Sequence, residues 1–350
     1  MRIEKSKINR ILVRSPNWIG DVVMSIPAIE NLKYNCPSAW LTVVAKPWVK
    51  ALLENNPCVD EILLYDPRNG YLAKPKSILK AAKSIRRGNY DTAVLFQNAF
   101  EAALLVWLGQ VKYRIGYCTD GRGLLLNYGI PSVKNPHRGH QVEYYLNLLR
   151  CVGLKTPKGN PKLFLSAEQK EKARQFLSEY QINLNKATVG LGPGAMYGEA
   201  KRWPAERFAR VADLAVEKWS ANILIFGSNK EKAIGSAVEQ SMRHKALNLC
   251  GKTSLKEAIG LLSTCNFFVT NDSGLMHVAA ALGVPTLAIF GSTDPTATGP
   301  LSEKARIIYH DVDCAPCLKP SCTKDFKCML SVQAEEVWEE LAKLRKKVEQ

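Results

Sequence analysis

Asn266–Gly291 reads NFFVTNDSGLMHVAAALGVPTLAIFG. The apolar run Asn266–Thr270 has the length of a buried strand and ends in Asn-Asp-Ser-Gly. Helical periodicity then holds over Ser273–Leu282, Gly283 and Pro285 break it, and Thr286–Phe290 reads as a second strand. Strand, helix and strand in such close succession predict parallel pairing. Ser273–Thr293 is the longest uncharged run near the length of a membrane span, but its glycine, proline and polar residues mark a buried helix and strand instead.

The same alternation runs outward in both directions. Towards the N-terminus, Arg10–Arg14, Leu41–Ala45 and Asp91–Phe96 read as strands, and Asp21–Lys33 as a helix after the turn Pro16–Gly20. Periodicity weakens over Pro131–Lys162, where NPHRGH and LKTPKGNPK are rich in Gly and Pro. Beyond it, Ser166–Tyr180 is a helix, Ala187–Leu191 a strand, and Asn222–Phe226 another strand. Pro204 suits the first position of a helix carrying Phe208, Val211, Ala212 and Ala215 on one face, and Ser254 is a plausible cap for Ser254–Leu262. The expected fold is α/β, with parallel sheets covered by helices on both faces. Its predicted parts are an N-terminal domain over residues 1–165, a C-terminal domain over 166–333, and a charged amphipathic helix over 334–350 that packs back toward the N-terminal domain.

A chain of 350 residues, 46% of them hydrophobic, can bury two such cores. MRIEKSKINR has no apolar run after its basic residues, which predicts no secretory signal and a soluble cytoplasmic protein. Lys and Arg number 48 against 32 acidic residues, a net charge of +16. Such a field suits nucleic acid, an anionic membrane or a phosphorylated substrate. Ala73–Tyr90 (AKPKSILKAAKSIRRGNY) reads as a basic amphipathic helix, either a solvated face or a membrane contact. Of ten cysteines, six are dispersed and fit the core. Cys314, Cys317, Cys322 and Cys328 form C-x2-C-x4-C-x5-C, which fits a tetrahedral zinc site or a loop of reduced thiols.

Three segments carry chemistry. Ligands of open α/β sheets bind beyond the carboxyl ends of strands, where helix N-termini offer N–H groups to anions. In the opening stretch, Ser273 and Gly274 could bring amides to a phosphate, with His277 one turn later on the same side; the alternative is that Asp272 and Ser273 simply cap the helix. GLGPGAMYGEAKRWP (Gly190–Pro204) follows a strand with a glycine-rich loop and then Lys201 and Arg202, either a phosphate cradle or a flexible basic loop. It fits neither a G-x-x-x-x-G-K-[ST] loop nor a dinucleotide fingerprint. In RSPNWIGDVVM (Arg14–Met24), Asp21 begins a helix, where it either complements the dipole or serves as a general base beside Asn17 and Trp18.

Together, SPNWIGDVVMSIPAIENLK, GPGAMYGEAKRWP, NLCGKTSLKEAIGLL and TNDSGLMHVAAALGVPTLAIFG resemble the lipopolysaccharide heptosyltransferases of glycosyltransferase family 9, from Ile11 to about Leu301. The resemblance implies a GT-B fold, two Rossmann-like domains facing each other across a cleft. It implies inverting transfer of L-glycero-D-manno-heptose from ADP-heptose to the first heptose of the inner core on Kdo-bearing lipid A, at the cytoplasmic face of the inner membrane. Asp21 falls at the general base and Lys201 at the residue supporting the departing ADP. Met196, Tyr197, Thr253, Asp272, Ser273, Gly274 and His277 fall at the donor, and Asn17, Trp18 and Arg114 beside the acceptor. No cofactor is required by the pattern, and the cysteines lie outside it. Two alternatives stand beside this one: another acceptor order or ADP-sugar, and a basic nucleic-acid-binding protein, for which the chain offers no recognised motif or aromatic platform.

Overall fold

The computed structural model describes residues 3–67, 73–131 and 139–349. Met1, Arg2, and the Asn135–Arg138 part of NPHRGH lie outside the described residues. The chain forms two compact units, Met1–Pro161 and Lys162–Gln350.

The first unit carries strands β1 (Arg10–Arg14), β2 (Trp40–Ala45), β3 (Glu61–Leu64), β4 (Thr92–Leu95), β5 (Tyr113–Tyr117) and β6 (Tyr128–Ile130), with helices α1 (Ile19–Asn35), α2 (Ala73–Arg87), α3 (Phe100–Leu108) and α4 (Gln141–Cys151). The second carries β7 (Thr188–Gly192), β8 (Asn222–Ile225), β9 (Leu247–Asn248), β10 (Phe267–Asn271), β11 (Thr286–Ile289) and β12 (Ala305–Ile308). Its helices are α5 (Ala167–Glu179), α6 (Ala205–Trp219), α7 (Lys232–Ser241), α8 (Leu255–Leu262), α9 (Gly274–Ala281), α10 (Pro295–Thr298), α11 (Lys327–Ser331) and α12 (Ala334–Glu349).

All pairing is parallel, in the order β3-β2-β1-β4-β5-β6 and β12-β11-β10-β7-β8-β9. The two orders are the same order repeated: each unit starts in mid-sheet, winds outward one way, then returns past its first strand and winds the other way. The central strands are continuous apolar runs because both faces are covered; β4, β7, β10 and β11 are buried throughout.

Local sequence explains the boundaries. Ser166 caps α5 and Ser254 caps α8, each with a reciprocal capping box to Gln169 and Glu257. Pro204 stands as the cap of α6, one position before the place the sequence predicts. β3, α3, α4, β5, β6 and β12 have no clear signal in the sequence; they are short or only half covered, so their alternation is weak. The residues ahead of β1 pack onto the unit: Ile3 and Ile8 are buried, and the Ile3 N–H donates to the Val152 carbonyl at 3.2 Å.

The Gly- and Pro-rich stretch after α4 is held in order by α1. Asn31 and Asn35, one turn apart, each exchange two hydrogen bonds with the backbone of Lys158 and Lys155 at 2.7–3.2 Å. α12 belongs to the second unit: its apolar face, Val337, Leu341 and Leu344, is part of that unit's core and packs on α6. Trp219 of α6 meets Trp338 of α12 with ring centroids 4.6 Å apart, and Arg345 lies over the Trp219 ring. No helix among the described residues is long and apolar enough to cross a membrane.

Leu341 has no exposed surface. Leu341→Ala is therefore expected to destabilise the second unit by about 2–5 kcal/mol, read from the denaturant midpoint.

Candidate functional site

In a sheet of this order the ligand crevice opens where adjacent strands lead to helices on opposite faces. In the second unit that point lies between β7 and β10. β7 runs into the loop Pro193–Arg202, and β10 runs into Asp272, Ser273 and α9. The strands approach closely because Gly192 leaves room for Thr270 and Phe268, where a Cβ would collide. Asn271, the last residue of β10, spans the opening. Its Nδ2 donates to the Pro193 carbonyl at 2.8 Å, and its Oδ1 accepts the Trp203 N–H at 3.1 Å. Both ends of the loop are thus tied to one amide.

Lys201 ends a short 3-10 turn, Glu199–Lys201, in that loop. Its Nζ lies 2.5 Å from Asp272 Oδ2, with both side chains largely buried. Thr293, just past β11, donates its hydroxyl to the same Oδ2 at 2.7 Å. The ring of Tyr197 lies 4.9 Å from the Lys201 ammonium, and the Tyr197 hydroxyl donates to the Leu318 carbonyl. The cation is therefore placed by a carboxylate on one side and a π face on the other.

Asp272 and Ser273 do not act as the caps the alternative required. The Ser273 side chain makes no cap bond to α9; its hydroxyl lies 3.3 Å from that of Thr270. The first N–H groups of α9, at Gly274 onward, thus have no side-chain cap from this residue. His277 is one turn further on and buried. Met196 and Tyr197 are exposed on the loop. Thr253 is half-buried just ahead of the α8 cap and shares no hydrogen bond with the Lys201–Asp272 group.

The glycines of the loop have another use than the one expected. Gly194 makes room for the Glu231 side chain, and Gly198 for the Pro320 carbonyl. Close approach there is protein against protein.

The corresponding point of the first unit lies between β1 and β4. Arg14, the last residue of β1, is buried and donates to the carbonyls of Ser15 and Val44 and, at 3.0 Å, to Asn17 Oδ1. Burial pulls its guanidinium down to about 10. Trp48 donates to the Asn17 carbonyl at 2.9 Å, so Asn17 is fixed from two directions. Trp18 caps α1 without a side-chain bond and is 66% exposed. Asp21 is half-buried in the first turn of α1 and is hydrogen-bonded to Tyr145 of α4. Burial first, and the Asp21 carboxylate second, hold the Tyr145 phenol well above its ordinary value, so it stays protonated and orients the carboxylate as a donor. Arg122 is wholly buried and donates to the Gln97 carbonyl and Asn98 Oδ1 after β4.

Arg114 donates from its Nε and Nη1 at 2.7 Å to the carbonyls of Leu125 and Val111, which ties it to the β5–β6 connection.

The cysteines also differ from expectation. Among the six dispersed ones, Cys36, Cys250 and Cys265 are buried, but Cys58 is half-buried and Cys118 and Cys151 are exposed. All ten are free thiols. Among the described residues no three Cys, His, Asp or Glu side chains come together as a set that could hold a metal ion, so the zinc arrangement of Cys314, Cys317, Cys322 and Cys328 is not assembled. Cys322 Sγ instead accepts the N–H groups of Lys324 and Phe326, and Cys328 is buried against Gly291.

Two doubly wound parallel units, with a largely buried Lys–Asp pair at the second switch point, are an α/β architecture that binds ligands in the crevice beyond its strand ends. Residues 78–327 match the model of glycosyltransferase family 9 (heptosyltransferase). The chain is 32% identical to lipooligosaccharide heptosyltransferase 2 of Haemophilus influenzae over 85% of its length and 88% of that protein's. Its fold matches the structure of Escherichia coli ADP-heptose LPS heptosyltransferase II with a TM-score of 0.84, at 29% identity, over 97% of this chain and all of the other. A family 9 glycosyltransferase of Veillonella parvula matches with a TM-score of 0.85 at 25% identity, covering 96% and 97%. The chain belongs to glycosyltransferase family 9 and is a glycosyltransferase of the GT-B fold class.

Sequence reasoning missed Asn271, Thr293, Arg14 and Tyr145. Asn271 sits inside the quoted Asn-Asp-Ser-Gly and Arg14 opens the quoted RSPNWIGDVVM, so both have a local signal; Thr293 and Tyr145 act across the fold. Asn271→Ala would leave the Pro193 carbonyl and Trp203 N–H unpaired. It is expected to cost about 1–3 kcal/mol for each group, with faster proteolysis within Pro193–Arg202 as the local readout.

Proposed function

We propose that this chain transfers L-glycero-D-manno-heptose from ADP-heptose to the first heptose of the lipopolysaccharide inner core, with inversion. The observation that carries the donor half is Lys201, held at 2.5 Å from Asp272 at the β7/β10 switch point. A leaving diphosphate gains negative charge as the glycosidic bond breaks, and a preorganised ammonium lowers that barrier without reorganising. The uncapped start of α9, with Ser273 and Gly274, adds N–H donors for the diphosphate, and His277 adds a side chain one turn on. Asp272, sharing Oδ2 with Lys201 and Thr293, is suited to accept from a sugar hydroxyl through its other oxygen. Met196, Tyr197 and Thr253 complete the donor side by their match to the family.

The first unit supplies the base. Asp21 takes the proton of the acceptor hydroxyl, whose oxygen attacks the anomeric carbon from the face opposite the diphosphate. The bond to the diphosphate oxygen breaks, and its electron pair leaves with ADP. Tyr145 keeps the Asp21 carboxylate aimed, and Asn17 and Trp18 stand beside it for the acceptor. The sugar and acceptor rest on the relatives, which are named as heptosyltransferases 2 of lipopolysaccharide and lipooligosaccharide. The reaction as written uses no cofactor.

The acceptor is lipid-anchored, and the basic surplus of +16 suits the anionic cytoplasmic face of the inner membrane. Lys76, Lys80, Lys83, Arg86 and Arg87 are exposed along α2, which contains no acidic residue. This basic face supports the reading of a cytoplasmic enzyme working peripherally at that surface, with no role for nucleic acid.

The test is ADP release from ADP-heptose with acceptors bearing no, one or two heptoses. Turnover is expected with the mono-heptosylated acceptor; turnover confined to another acceptor assigns a different order, and none with any acceptor rejects heptosyl transfer. Asp21→Asn is expected to lower kcat by about 100-fold or more while changing the donor Kd less than about threefold. A variant at full rate removes Asp21 from the chemistry.

A further inference from the structure

The four-cysteine segment takes no part in that chemistry, yet it lies against the loop that carries Lys201. The contact runs through backbone. The Leu318 N–H donates to the Ser292 carbonyl at 2.7 Å, and the Leu318 carbonyl accepts the Tyr197 hydroxyl at 2.7 Å. Two residues on, the Pro320 carbonyl accepts the Ala200 N–H at 3.1 Å. Gly198 admits that carbonyl, since a Cβ there would collide with it.

Each of these bonds reaches a partner of the ion pair. Tyr197 supplies the π face beside the Lys201 ammonium, and Ala200 is the neighbour of Lys201. Ser292 precedes Thr293, whose hydroxyl holds Asp272 Oδ2. Leu318 is thus a bridge between the chain bearing the cation and the chain that orients its carboxylate. It adopts φ 56°, a left-handed conformation that an L side chain disfavours. Its side chain is 46% exposed, so burial of leucine does not account for that backbone; the two bonds do.

We propose that Cys317–Pro320 is a positioning clamp for the donor site, with the backbone of Leu318 setting the Lys201–Asp272 geometry. The clamp touches no substrate. It acts through Tyr197 and Thr293, and it rests on the assignment of Lys201 and Asp272 to the donor.

Two substitutions at one position separate backbone from side chain. Leu318→Gly keeps both bonding groups and accepts the left-handed conformation, whereas Leu318→Pro has no N–H and fixes φ near −65°. Tyr197→Phe is the milder third variant, keeping the ring beside Lys201 and losing only the bond to Leu318. ADP affinity is measured by calorimetry on the full chain, and kcat and KM for ADP-heptose by ADP release.

Leu318→Pro is expected to lose about 10- to 100-fold in kcat/KM, a geometric misplacement, and to bind ADP more weakly. Tyr197→Phe is expected to lose about 2- to 10-fold, the worth of one hydrogen bond. Leu318→Gly is expected within about twofold of the parent. Should Leu318→Pro fail to fold, the decision rests on Tyr197→Phe and Leu318→Gly. Parental kcat, KM and ADP affinity in Tyr197→Phe overturn the clamp, as does a Leu318→Gly protein as impaired as the proline one. A parent protein that neither binds ADP nor releases it from ADP-heptose overturns the donor assignment itself, and the clamp's role with it.

Discussion

The side-chain amide of Asn271 is the constraint on which the second unit's site depends. It ends the central strand β10 and bonds to both ends of the loop that follows β7. Because it is buried and between two backbone groups, releasing either would leave an unpaired polar group without water to replace it. The loop therefore cannot drift from the strand, and Lys201 cannot drift from Asp272, the next residue. Parallel pairing of β7 with β10 gives the approximate meeting point, and Gly192 lets the strands come close enough for the amide to reach.

Fixing that geometry has a purpose in energetic terms. A largely buried ammonium and carboxylate are costly to desolvate, and their attraction barely offsets the cost. Nothing about stability alone favours such a pair over packed apolar residues of the same size. What it provides is a cation already stripped of most of its water, aimed by Asp272 and the Tyr197 ring, with Thr293 holding the carboxylate. In the proposed reaction, a diphosphate arriving there meets charge that needs no rearrangement.

The first unit repeats the topology with a different buried cation. Arg14 is the residue that β1 delivers to its carboxyl end, and it holds the following chain at Ser15 and Asn17 rather than a ligand. That leaves Asp21 as the acidic group of the first α1 turn, oriented by Tyr145 from α4. One architecture thus presents an oriented carboxylate in one unit and an oriented ammonium in the other; in the proposed reaction the first is the base and the second supports the leaving group.

Much of this was legible in the chain. Continuous apolar runs and helical runs of period about 3.6, broken by Gly, Pro and capping serines, fix the central strands and long helices, because those signals act over a few residues. They placed β1, β10, β11 and α8 within about a residue of where they lie. The motifs also named Lys201, Asp272 and Asp21. Edge strands and half-covered helices were not legible, since their burial depends on neighbours. Nor were Thr293, Tyr145 and Leu318, or the second-unit packing of α12: each acts through a partner far along the chain, by a bond whose existence follows from the winding order and not from any local pattern. The cysteines make the same point from the other side. Their spacing permitted a metal site, but four thiols become ligands only if the backbone turns them to one point, and among the described residues no three such side chains converge. Sequence by itself determined which elements form and which charged residues end them; tertiary structure decided which of those residues meet.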